Sequence, residues 1–270
     1  MLYRLKVRSL KIPRINLWWR QFREWRGEKV GNYNHLPDYI RRHAPGKSFA
    51  DIGCMWGVNG EYAFLAEEAG ATRVVAADVF GPTPEFEEKR AARGSRVDFV
   101  LGDVSRAGTV AAIGEVDVVF CAGVLYHHPS PYDLLVALRR ICRETLILRT
   151  STIPEVDGLP NVAVYFPMLD ARGRELWNLR SLGVLHQAGI SAPFDAREGY
   201  GNWFWGLTPS CLESMLATAG FRVDVRATEA FAQTVVCTAV APPLDHRLPG
   251  EDEARSVGAE ISAARIAKPA

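Results

Sequence analysis

Residues 221–240 read Phe-Arg-Val-Asp-Val-Arg-Ala-Thr-Glu-Ala-Phe-Ala-Gln-Thr-Val-Val-Cys-Thr-Ala-Val, and this closing stretch decides the fold. Two runs suited to strands, Phe221–Ala227 and Gln233–Val240, are separated by the five residues 228–232. A parallel pairing needs a crossover of a dozen or more residues, so the two runs must fold back on each other as an antiparallel hairpin. A doubly wound dinucleotide-binding sheet ends instead on a parallel sixth strand.

Upstream, Thr208 is a natural N-cap, Pro209 suits the first helical position and Gly220 follows the end, which predicts a helix over 208–219. From about residue 46, short β-branched runs alternate with helical patterns, as a parallel sheet with crossover helices requires. Strands are expected at Ser48–Asp51, Arg73–Val79, Val97–Leu101, Val116–Cys121 and Thr145–Arg149. Helices are expected at Gly60–Ala69, Pro84–Arg93, Ala107–Ile113 and Pro131–Arg143. The strand runs do not alternate with polar residues, so both faces of the sheet should be covered. Five βα steps and the hairpin make an α/β, Rossmann-like sheet of seven strands. The expected organisation is a basic N-terminal cap segment (1–45), the α/β core (46–150), an insertion after strand five (151–206), completion of the core (207–240) and a surface tail (241–270). The insertion carries prolines, glycines, one helix near Arg174–Gln187 and the aromatic triplet Trp203-Phe204-Trp205.

The 270 residues suit one α/β core bearing an insertion. Apolar residues at 48% and charged residues at 23% exclude wholesale disorder, collagen and coiled coil. No apolar run nears the roughly 20 residues of a bilayer span, so no membrane span is expected. The net charge of +1 conceals an uneven distribution: residues 1–30 hold nine basic side chains against two acidic ones. That start lacks the apolar core and small-residue cleavage site of a secretory leader, and a cytoplasmic location is expected. The cysteines, Cys54, Cys121, Cys142, Cys211 and Cys237, are scattered without a C-x-x-C spacing and are expected as buried, reduced thiols.

Four segments carry chemistry. Phe49-Ala50-Asp51-Ile52-Gly53-Cys54-Met55-Trp56-Gly57 runs from strand into a glycine-spaced turn, where the backbone can approach a ligand over the strand ends. Met55 stands where a pyrophosphate fingerprint has its middle glycine, and its side chain is expected to obstruct a pyrophosphate. Asp51 would repel a phosphate but hold an ammonium group. Asp78 ends the second strand, 21 residues after Gly57, where a carboxylate accepts from ribose hydroxyls. Asp103 follows the third strand, placed to accept from an adenine amino group. The fourth strand runs into Gly123-Val124-Leu125-Tyr126-His127-His128.

The runs GVLYHHPSP (123–131), FADIGCMWG (49–57) and GNWFWGLTPSCLESMLATAGF (201–221) together resemble class I S-adenosylmethionine (SAM) methyltransferases related to the wobble-uridine tRNA carboxymethyltransferase. The likeness covers about residues 25–240. It implies the class I methyltransferase fold, with SAM held over 46–150. Cofactor contacts are then expected from Asp51, Gly53, Cys54 and Gly57 in the first turn and from Asp78 and Val79 at the second strand tip. Gly102, Asp103 and Val104 at the third tip, and Ala122, Gly123 and Tyr126 at the fourth, complete the set. The wobble-uridine enzyme that this chain resembles has basic residues after its G-V-L-Y-H, where this chain has His128-Pro129. The extra carboxylate of a carboxy-SAM cofactor would need cations, for which only Lys29 and Arg149 stand out, so SAM itself is expected.

Methyl transfer to a hydroxyl needs a general base, and His127 and His128 are the candidates, with at most one facing the acceptor. No third ligand stands at metal-binding spacing beside them. Tyr126, Arg149, Trp203 and Trp205 are expected against a small-molecule acceptor such as a sugar or natural product. The methylated atom is expected to be oxygen, with nitrogen the alternative. The basic start, with aromatics at 18, 19, 22 and 25, reads as a docked cap helix; RNA or another anionic partner is the alternative, though no RNA-binding module is visible. A tRNA-modifying (carboxy)methyltransferase, an NAD(P)-dependent oxidoreductase and a non-catalytic scaffold are the rival readings. The sequence does not speak to oligomeric state.

Overall fold

The computed structural model describes residues 35–180, 193–229 and 231–251. The basic start with Trp18, Trp25 and Lys29, the far end of the helix expected near Arg174–Gln187 and most of the tail lie outside the described residues. After α1 (Leu36–His43), the strands β1 (Ser48–Ile52), β2 (Arg73–Asp78), β3 (Asp98–Leu101), β4 (Val116–Ala122) and β5 (Cys142–Ser151) run parallel. They are joined by α2 (Glu61–Glu68), α3 (Pro84–Arg93), α4 (Ala107–Ile113) and α5 (Pro131–Ile141). The closing hairpin forms as predicted. β8 (Phe221–Glu229) turns into β9 (Ala232–Ala239), with Phe221 opposite Ala239 and Glu229 opposite Ala232. β9 then pairs antiparallel with β5, giving the seven-stranded order β3-β2-β1-β4-β5-β9-β8. This is the class I methyltransferase arrangement, in which β9 alone of the seven strands runs against the others.

Helix ends follow their sequence signals. Thr83 Oγ1 accepts from the Phe86 N–H at 3.1 Å to start α3, and Thr208 caps α7 (Pro209–Ala219) in the same way through the Cys211 N–H. Both helices carry proline in the first turn and end on a left-handed glycine, Gly94 and Gly220. α2 has no such side-chain cap at Gly60; the Ala63 N–H is taken by the Asp51 carboxylate from β1 instead.

The sheet is covered on both faces. On one, Leu134, Leu135, Leu138, Leu212 and Leu216 of α5 and α7 bury against Ala50, Val119, Leu146 and Leu148. On the other, Leu36 and Ile40 of α1 join Phe64 and Phe86 against Phe49, Val74, Phe120 and Ile147. Each buried Leu, Ile, Val or Phe side chain contributes roughly 1.5–3 kcal/mol on burial. All five cysteines are buried and unbridged. No helix among the described residues is long and apolar enough to cross a membrane.

The insertion contains α6 (Ala171–Arg180) and a two-stranded sheet of β6 (Ala163–Tyr165) and β7 (Trp205–Leu207). Three-residue strands leave too little pattern to be read from sequence. Ile153, Phe166 and Trp203 form a small core of their own, and the chain from 193 to 203 returns over the carboxyl ends of the parallel strands. Strand order reverses at β1, which has β2 on one side and β4 on the other, so a crevice opens there.

Candidate functional site

The crevice is a cleft of ≈ 900 Å³, at the upper end of the roughly 300–1,000 Å³ usual for small-molecule sites. Its floor is the turn after β1. Gly53 has φ +80°, and a Cβ there would lie 2.1 Å from Val124 Cγ2, so no other residue fits without displacing the β4 turn. The turn is tied to the next strand by two bonds: the Gly53 N–H donates to Ala77 O at 2.8 Å, and the Met55 N–H donates to Asp78 Oδ2 at 2.8 Å.

Asp51, Asp78 and Asp103 all line the cleft. Asp51 is buried, and its Oδ2 has no hydrogen-bond partner among the described residues. Burial above all, with the nearby Asp78 charge, pushes its carboxyl up to about 7 against the lowering bond from Ala63. Such an orphaned oxygen is incomplete without a donor, and a cationic one satisfies it best. Asp78 is pinned by the Met55 N–H on Oδ2 and the Phe80 N–H on Oδ1, with the Val79 N–H a third donor, which still leaves the carboxylate a lone pair. Burial raises its pKa as well.

Asp103 is more occupied than the sequence suggests. Its Oδ1 accepts from the Ser105 N–H, the Ser105 hydroxyl and His128 Nε2 (2.8, 2.7 and 3.3 Å), and its Oδ2 from the Tyr200 hydroxyl at 2.6 Å. Oδ1 thus takes three donors and Oδ2 one, which leaves Oδ2 a second lone pair. Burial would raise its pKa, but these donors outweigh burial and hold the carboxyl well below the usual range. The lone pair left for an adenine amino group is on Oδ2, beside the Tyr200 hydroxyl.

The histidines follow on the 3₁₀ turn Leu125–His127 after β4. His128 is buried with both ring nitrogens engaged: Nδ1 accepts from the Ser130 N–H at 3.0 Å, so Nε2 carries the proton shared with Asp103. His127 has Nδ1 at 2.8 Å from the carbonyl of Asn202, and Nε2 has no partner among the described residues. Burial lowers its pKa more than that bond raises it. Tyr126 and Trp203, with centroids 4.2 Å apart, pack beside it, and the Trp56 ring lies nearly parallel to it at 6.5 Å.

Of the predicted residues, Asp51, Gly53, Gly57, Asp78, Val79, Gly102, Asp103, Val104, Ala122, Gly123, Tyr126, His127, His128 and Trp203 meet on the cleft wall. Three do not. Cys54 turns its thiol into the core, and its carbonyl accepts from the Gly60 N–H. Arg149 is 2% exposed and forks onto Glu229 (2.7 and 3.1 Å) and Thr234 Oγ1, away from the cleft. Trp205 stands outside, donating its indole N–H to Pro129 O. Met55 is buried in the core and is not on the wall, so its side chain would obstruct no ligand there; the case against a dinucleotide rests on the hairpin and on Asp51. The wall also holds residues the sequence did not single out, among them Trp56, Phe80, Phe166, Tyr200 and Asn202. Trp56, at 65% exposure, is the one with a visible signal, a large aromatic inside a glycine turn.

Residues 49–145 match the family model described as a methyltransferase domain. No curated protein matches the chain's sequence. Among solved structures, the N-terminal domain of EvdMO1 with SAH bound superposes with a TM-score of 0.52 at 19% identity, over 78% of this chain and 82% of that one. The 1,6-didemethyltoxoflavin-N1-methyltransferase of Burkholderia thailandensis, holding 1,6-didemethyltoxoflavin and S-adenosylhomocysteine (SAH), gives 0.51 at 18% identity over 77% and 78%. The PH0226 protein of Pyrococcus horikoshii OT3 gives 0.51 at 15% over 82% and 91%. At these identities the likeness concerns the fold. The methyltransferase domain runs from β1 into β5, the strands whose tips build the cleft, and the orphaned Asp51 oxygen suits the ammonium group of SAM. Residues 49–145 are thus a methyltransferase domain set in the class I fold.

Proposed function

We propose that this protein is a SAM-dependent methyltransferase that methylates a hydroxyl oxygen of a small, uncharged, ring-bearing acceptor such as a sugar or natural product, with His127 as the base. The observation that carries this reading is the Nε2 of His127, unengaged among the described residues, on a ring whose other nitrogen is committed to a carbonyl. Bound SAM supplies an electrophilic methyl group on a sulfonium. Asp51 holds its ammonium group and Asp78 its ribose hydroxyls. Burial keeps His127 unprotonated at neutral pH, and Nε2 receives the hydroxyl proton. An amine acceptor would have less need of such a base, which favours oxygen over nitrogen. In this reading the insertion (151–206) supplies the acceptor wall through Phe166 and Trp203, and the core (46–150 with 207–240) supplies the donor wall.

Charge supports an uncharged acceptor. Asp51, Asp78, Asp103, Asp195 and Glu198 line the cleft, and no lysine or arginine does so among the described residues. A phosphate or carboxylate would be repelled there, which speaks against a tRNA substrate and against the added carboxylate of carboxy-SAM. Two of the structural neighbours were crystallised with small molecules besides SAH, one with 1,6-didemethyltoxoflavin and one in the presence of D-fucose. The test is to incubate the protein with methyl-labelled SAM, a metabolite extract and total tRNA. Label on oxygen of an uncharged small molecule is the expected result. Label confined to tRNA, or to anionic or nitrogen acceptors, would overturn the reading.

A further inference from the structure

We infer that Asn202 is a positioning residue that sets the tautomer of His127, an inference resting on the proposed role of His127 as base. A backbone carbonyl can only accept, so the 2.8 Å contact with Asn202 O requires the His127 proton to sit on Nδ1 and leaves the lone pair on Nε2. The neighbouring His128 takes the opposite tautomer, because its Nδ1 accepts from the Ser130 N–H. The difference between these adjacent histidines therefore comes from their partners. For His127 that partner is one peptide oxygen in the insertion.

What holds this oxygen in place is the Asn202 side chain. The residue is buried, and all three of its side-chain bonds fall within its own loop. Oδ1 accepts from the Asp195 N–H at 3.0 Å, and Nδ2 donates to the carbonyls of Asp195 (2.7 Å) and Gly199 (2.9 Å). The segment turns back sharply at Gly199, with φ 47° and ψ −118°. Two residues on, the Phe204 N–H donates to Tyr126 O at 2.9 Å, which lays this strand of the insertion alongside the histidine turn. The amide thus closes the loop 195–202 and delivers its own carbonyl to Nδ1. An aspartate of the same shape would keep the acceptor but lose both donors.

The experiment combines long-range ¹H–¹⁵N spectra of histidine-labelled protein, which report each ring's tautomer, with methyl-transfer rates. In the wild type His127 is expected as the Nδ1–H form. In Asn202→Asp and Asn202→Ala the Nε2–H form should appear, and kcat should fall roughly tenfold or more, part of the general-base contribution. A wild-type His127 in the Nε2–H form overturns the inference without any variant, which covers the case in which both variants fail to fold. Retention of the Nδ1–H form in the variants, or its loss with kcat unchanged, also overturns it. Full turnover by His127→Ala would overturn the base reading itself. A slow His127→Ala beside an unaffected Asn202→Asp would overturn only the role of Asn202.

Discussion

The proton on Asp51 makes cofactor affinity a function of pH. In the ligand-free protein burial, and then the Asp78 charge, lift this carboxyl from 3.8 to about 7. A bound ammonium group restores the ionised form to its ordinary range. At pH 5.5 only about 3% of the free protein is ionised at Asp51, so SAH should bind about 30-fold more weakly there than well above pH 7, a difference of about 2 kcal/mol. Affinity should rise up to tenfold per pH unit below 7 and level off near 8. Close to one proton should be released per ligand around pH 6. Stability of the ligand-free protein runs the other way. The folded state holds this proton up to about pH 7 whereas the unfolded chain releases it near 3.8, so the contribution is full at low pH and is lost as pH rises through 7. The rise in unfolding temperature on adding SAH should therefore grow from pH 5.5 to 8. Isothermal titration across that range, on the wild type and Asp51→Asn, measures the effect. An affinity independent of pH in the wild type, or the same slope in Asp51→Asn, would refute the assignment.

The remaining predictions concern the histidines and the buried arginine. His127→Ala should slow turnover by about 10²–10⁴-fold with SAH affinity little changed; with SAM saturating, the wild-type kcat should fall in acid with an apparent pKa below 6.5, and that limb should be absent in the variant. His128→Ala should act chiefly on SAH affinity, through the Asp103 cluster it helps to hold, and equal losses of kcat in the two variants would contradict the separation of roles. Glu229→Ala should lower stability in denaturant by roughly 3–5 kcal/mol, because it strips a buried guanidinium of its forked partner. SAH affinity should stay the same; a loss would return Arg149 to the cofactor site.

Much of this fold is legible in the sequence because its constraints are local. Five residues cannot carry a crossover helix, so the hairpin, and with it the antiparallel β9, follows from spacing alone. Parallel strands end at one edge, so acids at successive tips must share a cleft, as Asp51, Asp78 and Asp103 do. Side-chain direction is less legible. Arg149 lies within the ten-residue β5, and the Glu229 that draws it away is 80 residues distant. Trp203 and Trp205 stand two apart in one aromatic run, yet β7 begins at the second and carries it out of the cleft. In the first turn, Cys54 and Met55 face the core instead of the ligand, on a backbone bent by the positive φ of Gly53. Asn202 acts on His127 through a peptide oxygen, which every residue possesses and no residue type advertises.

A SAM site clasped by β1 and β2 is tested most directly by titration of SAH at pH 8 into wild-type and Asp78→Ala protein. One ligand per folded chain is predicted, with affinity falling by about 1.5–3 kcal/mol, roughly 10- to 150-fold, when the carboxylate is removed. Failure of well-folded wild-type protein to bind, or equal affinity in the variant, would contradict it.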